Sequence, residues 1–83
     1  MEIKIEIYSK PECSLCNKAK AVIEKVKNQY LISVSEIDIS KDPILFEKYK
    51  EKIPVIFINS KQEFIYKIPE ITLRKKLVFL SSG

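Results

Sequence analysis

The chain has 83 residues, of which 46% are apolar and 31% charged, with fifteen Lys and Arg against eleven Asp and Glu for a net charge of +4. That suffices for one small domain, residues 1–83, around a modest core, and it lies far from the composition of disordered chains. With no His and a single Gly, at position 83, the sequence lacks the makings of a Ser/His/Asp or Cys/His nucleophilic site, a His-ligated metal centre, a P-loop or a Gly-rich dinucleotide turn.

The basic balance does not read as a nucleic-acid face. Arg74 is the one arginine, whereas phosphate clamping and base readout favour arginine forks, and lysines alternate with glutamates at Glu24-Lys25 and Glu47-Lys48. A solvated surface of mixed charge is expected, with no nucleic-acid partner. Glu2, Lys4, Glu6 and Lys10 interrupt the first ten residues, so no apolar signal segment is expected there. The longest apolar run, around Ile53 to Ile58, contains a proline and is far too short for a membrane span. A cytoplasmic protein without a membrane partner is expected, acting as a monomer.

Ile3, Ile5 and Ile7 alternate with Lys4 and Glu6, the period of a strand with one buried face. Ser9-Lys10-Pro11-Glu12 breaks the pattern. Leu15, Ala19, Val22, Ile23, Val26 and Tyr30 then form the apolar stripe of a helix from about Ser14 to Tyr30. Val34, Ile37 and Ile39 suggest a second strand. Asp42 and Pro43 read as an N-cap and first-turn proline of a short helix to about Lys50. Val55 to Ile58 is a β-branched and aromatic run, Asn59-Ser60-Lys61-Gln62 is turn chemistry, and Phe64, Ile65 and Tyr66 supply a strand partner. Ile71, Leu73, Leu77, Val78 and Leu80 predict a last helix, with Arg74, Lys75 and Lys76 toward its C-terminal half and Ser81-Ser82-Gly83 as a frayed end. The order β-α-β-α-β-β-α implies a four-stranded mixed sheet, its first two strands parallel and the hairpin antiparallel, flanked by three helices.

Cys13-Ser14-Leu15-Cys16 falls where the first strand hands over to the first helix. Positions i and i+3 share a helix face, so both sulfurs can meet at the helix start. The positive end of the helix dipole stabilises a thiolate there, lowering the pKa of the first cysteine from about 8.5 toward roughly 3.5–7.5. Lys10 and Lys18 add positive potential and Glu12 opposes it. Cys13 is therefore expected to be the exposed nucleophile and Cys16 the more buried resolving thiol. Other readings of the pair remain: a structural disulfide in a four-residue ring, two unrelated cysteines, or a metal or iron–sulfur site. With two thiols and no imidazole, the metal site would need a dimer or an external ligand. Pro54 directly precedes the buried strand of Val55 to Ile58, and by base rate alone the Ile53–Pro54 bond would be trans.

The stretch Tyr8-Ser9-Lys10-Pro11-Glu12-Cys13-Ser14-Leu15-Cys16-Asn17-Lys18-Ala19-Lys20 resembles the active-site segment of glutaredoxins, and Ile53-Pro54-Val55-Ile56-Phe57-Ile58-Asn59 resembles their cis-proline strand. With the element order, the resemblance spans Ile3 to about Leu80. It implies a thioredoxin-like, glutaredoxin-like α/β fold and thiol-disulfide exchange on protein or small-molecule disulfides. Cys13 would be the nucleophile, Cys16 the resolving cysteine and Pro54 a cis proline facing them. The backbone of Ile53 would pair with substrate as an added strand, Lys10 would attract a glutathione carboxylate, and Tyr8 would border the groove. No resident cofactor is implied, and no metal; glutathione would be a co-substrate. Two features depart from the family: Ser14-Leu15 between the cysteines, and Phe64-Ile65-Tyr66-Lys67-Ile68-Pro69-Glu70 where glutaredoxins carry a Gly-Gly pair before an acidic residue. Side chains there crowd a close backbone approach, so glutathione is expected to bind weakly and a protein to be the preferred reductant. The alternatives are a dimeric metal or iron–sulfur carrier using the same cysteines, and a redox-inactive interaction domain on this fold. Asp38, Asp42, Glu47 and Glu51 form no acid/base pair and read as caps and solvated charges, and no buried acid for the resolving thiol is evident.

Overall fold

The computed structural model describes residues 2–82. In chain order it runs β1 (Ile3–Ser9), α1 (Ser14–Lys27), β2 (Ile32–Asp38), a 3-10 turn (Ile39–Lys41), α2 (Pro43–Tyr49), β3 (Val55–Ile58), β4 (Lys61–Ile65) and α3 (Glu70–Ser82). The strands form one sheet in the order β2-β1-β3-β4. β1 lies parallel to β2, with Ile3 opposite Ile32 and Ser9 opposite Asp38. β3 is antiparallel to both β1 and β4, with Tyr8 opposite Val55 and a register shift between Ile56 and Phe57.

The alternation in β1 divides the molecule into two layers of packing. Ile3, Ile5 and Ile7 face the same side as Ile56 and Ile58, and Ala19, Ile23 and Val26 of α1 close over them with Leu73 and Leu77 of α3. Burying each such aliphatic side chain contributes about 1.5–3 kcal/mol. On the opposite face α2 and the 3-10 turn cover a smaller cluster, Ile39, Tyr49, Ile53 and Val55, with Tyr8 and Phe57 against it. That cluster takes in Cys16, and Cys13 packs on it.

The Asp42 cap forms as expected, its carboxylate accepting the N–H groups of Ile44 and Leu45 at 2.9 and 3.3 Å. Other boundaries shift for local reasons. α1 ends at Lys27, short of Tyr30, because Asn28 caps it and the Gln29 N–H bonds back to Val26; Tyr30 still packs on the core from the following turn. Ile39 is buried but leaves the strand, since the Asp38 carboxylate accepts both the N–H and the hydroxyl of Ser40 and bends the chain. The hairpin turn is only Asn59-Ser60, both at positive φ (51° and 69°), the two-residue loop whose twist suits the flanking strands, so Lys61 and Gln62 already belong to β4. Tyr66 lies beyond β4, in a bend with φ 70°.

α3 departs most from its sequence pattern. Leu73 and Leu77 are buried, while Ile71 is 71% exposed and Val78 53%. No basic residue occupies the last turn. Arg74 instead pairs with Glu70 one turn earlier and donates to the Gln29 side chain at 2.7 Å, and Lys76 reaches Glu63 on β4. The helix continues through Ser81 and Ser82 rather than fraying; Gly83 lies outside the described residues. Among the described residues no helix is long and apolar enough to cross a membrane.

Candidate active site

β1, an interior strand, ends and α1 begins at the end of the sheet where the carboxyl ends of β1 and β2 lie, and the cysteines occupy that junction. Cys13 is the N-cap of α1 in an extended conformation; its Sγ accepts the Cys16 N–H at 3.2 Å, and its carbonyl accepts the Asn17 N–H at 3.1 Å. A side-chain oxygen normally fills this position. Here sulfur does, so an otherwise unpartnered N–H group points at it. The first turn carries no acidic residue to offset the positive end of the helix. Cys13 and Cys16 are joined in a disulfide, their Cα atoms 5.2 Å apart. Cys13 is half-buried and Cys16 only 1% exposed. The two sulfurs thus meet at the helix start with the unequal exposure expected of them.

The loop leading to Cys13 is held in an unusual shape. Glu12 has φ 59°, the left-handed region, which costs a residue with a Cβ roughly 1–2 kcal/mol. Something must hold the chain on either side of it, and Ser9 does so on one flank. Ser9 continues the buried face of Ile3, Ile5 and Ile7 and is the buried polar side chain among the described residues, 2% exposed. Its hydroxyl donates to Glu36 Oε2 at 2.8 Å, and Lys20 Nζ on α1 donates to the same oxygen at 2.8 Å. One carboxylate on β2 therefore ties the end of β1 to the second turn of α1. Hydrogen bonds from Lys20 first and Ser9 second hold the Glu36 carboxyl below its ordinary pKa. The alternation of β1 foreshadowed the burial of Ser9; nothing local pointed to Glu36 or Lys20.

The Ile53–Pro54 peptide is cis and both residues are buried. Ile53 shares the cluster that contains Cys16. Tyr8 lies in the same place, its ring 4.9 Å from that of Tyr49 and 5.3 Å from that of Phe57, with burial, then Glu6 and Tyr49, pushing its phenol pKa up. These aromatics, Tyr49 and Phe57, were not singled out from sequence; their separation along the chain hides a cluster that the β1–β3 pairing and the packing of α2 assemble together. The structure thus brings Cys13, Cys16, Ile53 and Tyr8 together. Lys10 is exposed and lines a crevice of about 320 Å³ between the ends of β1 and β2, together with Ser9, Glu12, Lys20, Glu36 and Asp38; neither Ile53 nor Pro54 lines it. In the segment from Phe64 to Glu70, Tyr66 has a glycine-favouring φ of 70°, and its N–H donates to the Pro54 carbonyl at 2.9 Å. No cluster of three or more potential metal ligands occurs among the described residues.

A helical N-terminus presenting Cys13 and Cys16 on a four-stranded mixed sheet, beside a cis proline, is the arrangement of the thioredoxin-like α/β fold. Residues 4–78 match the family model described as Glutaredoxin-like domain (DUF836), and the chain belongs to that family. It is 32% identical over 74 residues to a glutaredoxin-like protein, the YDR286C homologue, of Dictyostelium discoideum, covering 82% of this chain and 68% of that one. It is 34% identical over 67 residues to a thioredoxin of Methanocaldococcus jannaschii, covering 77% and 79%. Among solved structures, protein Ne2328 of Nitrosomonas europaea superposes with a TM-score of 0.76 at 21% identity, over 90% of this chain and 91% of that one. Protein XcR50 of X. campestris gives 0.73 at 19%, over 95% and 97%. At those identities the two structures speak for the fold alone. Fold and vicinal cysteine pair together support a redox-type role.

Proposed function

We propose that the protein is a dithiol oxidoreductase that reduces disulfides through Cys13 and Cys16. The observation that carries this reading is the Cys13 N-cap: a half-buried cysteine whose sulfur receives the Cys16 N–H at 3.2 Å at the positive end of a helix free of first-turn acids. That environment favours thiolate over thiol. In the reduced protein the Cys13 thiolate attacks one sulfur of a substrate disulfide. A Cys13–substrate mixed disulfide forms and the other substrate sulfur leaves as thiolate. Cys16, deprotonated to solvent, then attacks the Cys13 sulfur. The substrate's second thiolate is released, and the protein is left in the disulfide state described above. Two electrons pass to the substrate, and a reductant returns them.

Ile53 makes no hydrogen bond outside the regular elements among the described residues, which leaves its backbone free to pair with an extended substrate segment. Substrate contacts are assigned to Ile53, Pro54 and Tyr8, and the reaction to a monomer in the cytoplasm. A protein dithiol is the preferred electron donor over glutathione, because Tyr66 carries a side chain where close backbone approach calls for glycine.

The test is trapping. Cys16→Ser should still attack a disulfide substrate and stall as a stable mixed disulfide visible by mass, whereas Cys13→Ser should form none. Faster alkylation of Cys16 than of Cys13 in the reduced protein near neutral pH refutes the assignment. For the donor, turnover of one mixed-disulfide substrate should be fast with a thioredoxin-reductase-type system and slow with glutathione and its reductase.

A further inference from the structure

β1 and β2 are parallel neighbours, yet the chain leaves them toward opposite faces of the sheet. β1 feeds α1, which packs on the Ile3, Ile5 and Ile7 face, and β2 feeds the 3-10 turn and α2 on the Tyr8 and Phe57 face. In open α/β sheets, diverging connections of this kind leave a crevice outside the carboxyl ends of the strands, and that is where ligands bind. Here the crevice holds about 320 Å³, the lower end of ligand-sized cavities and room for about one amino acid.

Its charged groups are not all engaged. Glu36 is shared by Lys20 and Ser9. Asp38 uses Oδ1 for the N–H and hydroxyl of Ser40, and its Oδ2 has no hydrogen-bond partner among the described residues. Lys10 and Glu12 make no ion pair among the described residues, although both line the cavity. Among the residues lining the crevice, the Lys10 ammonium, the Glu12 carboxylate and Asp38 Oδ2 are thus without a hydrogen bond or ion pair among the described residues, with Lys41 the cation that acts on Asp38 from outside the crevice. Inorganic phosphate would meet two like charges, and a simple cation would meet Lys10. The complement is a molecule with one carboxylate and two cationic groups.

We propose that this crevice binds a free basic amino acid, its α-carboxylate on Lys10 and its two cationic groups on Glu12 and Asp38. The site adjoins the redox loop through Glu12 but does not depend on the dithiol reading, since occupancy requires no electron transfer.

The experiment is an amide chemical-shift titration of the oxidised full chain with L-arginine. Saturable shifts are expected at residues 9, 10, 12, 17, 20, 36 and 38, with a dissociation constant in the millimolar range. L-Glutamate, inorganic phosphate and Nα-acetyl-arginine amide, which keeps only the side-chain cation, should each bind at least about fivefold more weakly. Lys10→Ala and Glu12→Gln should each weaken arginine by about two- to fivefold. Both residues are exposed and unpaired, so the fold is retained, and unchanged shifts elsewhere will verify it. Absence of saturable shifts at those positions overturns the proposal, as does an equal response to any of the three control ligands. Because Cys13→Ser should bind arginine unchanged, loss of exchange activity and loss of this site are read separately.

Discussion

The two faces of the sheet are built to different rules. One is closed by two helices over an aliphatic cluster whose largest members, Ile5, Ile7, Ile23, Ile56, Leu73 and Leu77, are fully buried. The other is covered by a seven-residue helix and a 3-10 turn, filled with the rings of Tyr8, Tyr49 and Phe57, and shares its cluster with both cysteines. The first face supplies the bulk of the burial. The second is smaller and carries the cysteine pair.

The comparison is tested most strongly by cutting into the aliphatic side. Leu77→Ala removes a fully buried side chain between α3 and the sheet and should destabilise by about 2–5 kcal/mol, measured as the shift in urea midpoint at constant slope. The alkylation rate of Cys13 in the fraction that remains folded should not change, because Leu77 belongs to the other cluster. A parallel loss of thiol reactivity would show that the faces are not separable.

A smaller effect is expected from the cap of the short helix. Asp42→Ala frees two N–H groups at the start of α2 and should cost about 0.5–2 kcal/mol. A helix of seven residues holds its place by packing and caps rather than by its own propensity. The variant should therefore loosen the covering of the cysteine face first, seen as faster amide exchange at residues 44–49 while α1 and α3 stay protected. Uniform exchange along the whole chain would argue for one undivided core.

The Glu36 clamp crosses from one face to the site and should show a modest pH dependence. Its carboxyl is held below the ordinary value of 4.5 by the hydrogen bonds from Lys20 and Ser9. A depressed carboxyl stabilises the fold above its ordinary value, and that contribution disappears as pH falls through the folded value. The Glu36 and Lys20 side chains are 47% and 38% exposed, so solvent screening limits the effect to no more than about 1 kcal/mol. Glu36→Gln should lower stability at pH 7 by up to that amount and leave it unchanged at about pH 3. An equal loss at both pH values would assign the effect to packing instead of charge.

How much of this could be read from sequence follows the range of the interactions. The alternation of Ile3, Ile5 and Ile7, the Asp42-Pro43 helix start and the Cys13 to Cys16 spacing are local, and each fixed its element or motif. The resemblance around Ile53-Pro54 supplied the cis peptide that base rate alone opposed. What stayed hidden depends on partners far along the chain: Ser9 and Glu36 lie 27 residues apart and Lys20 and Glu36 sixteen. The α3 stripe misled at Ile71 and Val78 because one helix face packs on a sheet already filled by Leu73 and Leu77, and hydrophobicity does not say which apolar residues win that space. The end of β2 misled at Ile39 because a side-chain bond from Asp38 to Ser40 overrides the β pattern.

The smallest effect concerns Tyr66, where the glutaredoxin resemblance and the observed backbone diverge. The residue adopts φ 70° and holds Pro54 through its N–H, so the chain keeps the conformation a glycine would take while carrying a large side chain. Tyr66→Gly relieves a left-handed penalty of about 1 kcal/mol but enlarges the freedom of the unfolded chain by a similar amount, so the net change should be within about 0.5 kcal/mol. Tyr66→Ala retains the penalty and loses the ring, and should be the less stable of the two. The informative readout is glutathione-dependent turnover. If the side chain is what blocks close backbone approach, Tyr66→Gly should raise that turnover while Tyr66→Ala and the unmodified protein stay low, and stability should hardly separate the glycine variant from the parent. Equal glutathione turnover in all three would place the barrier elsewhere on the cysteine face and remove Tyr66 from the account of donor choice.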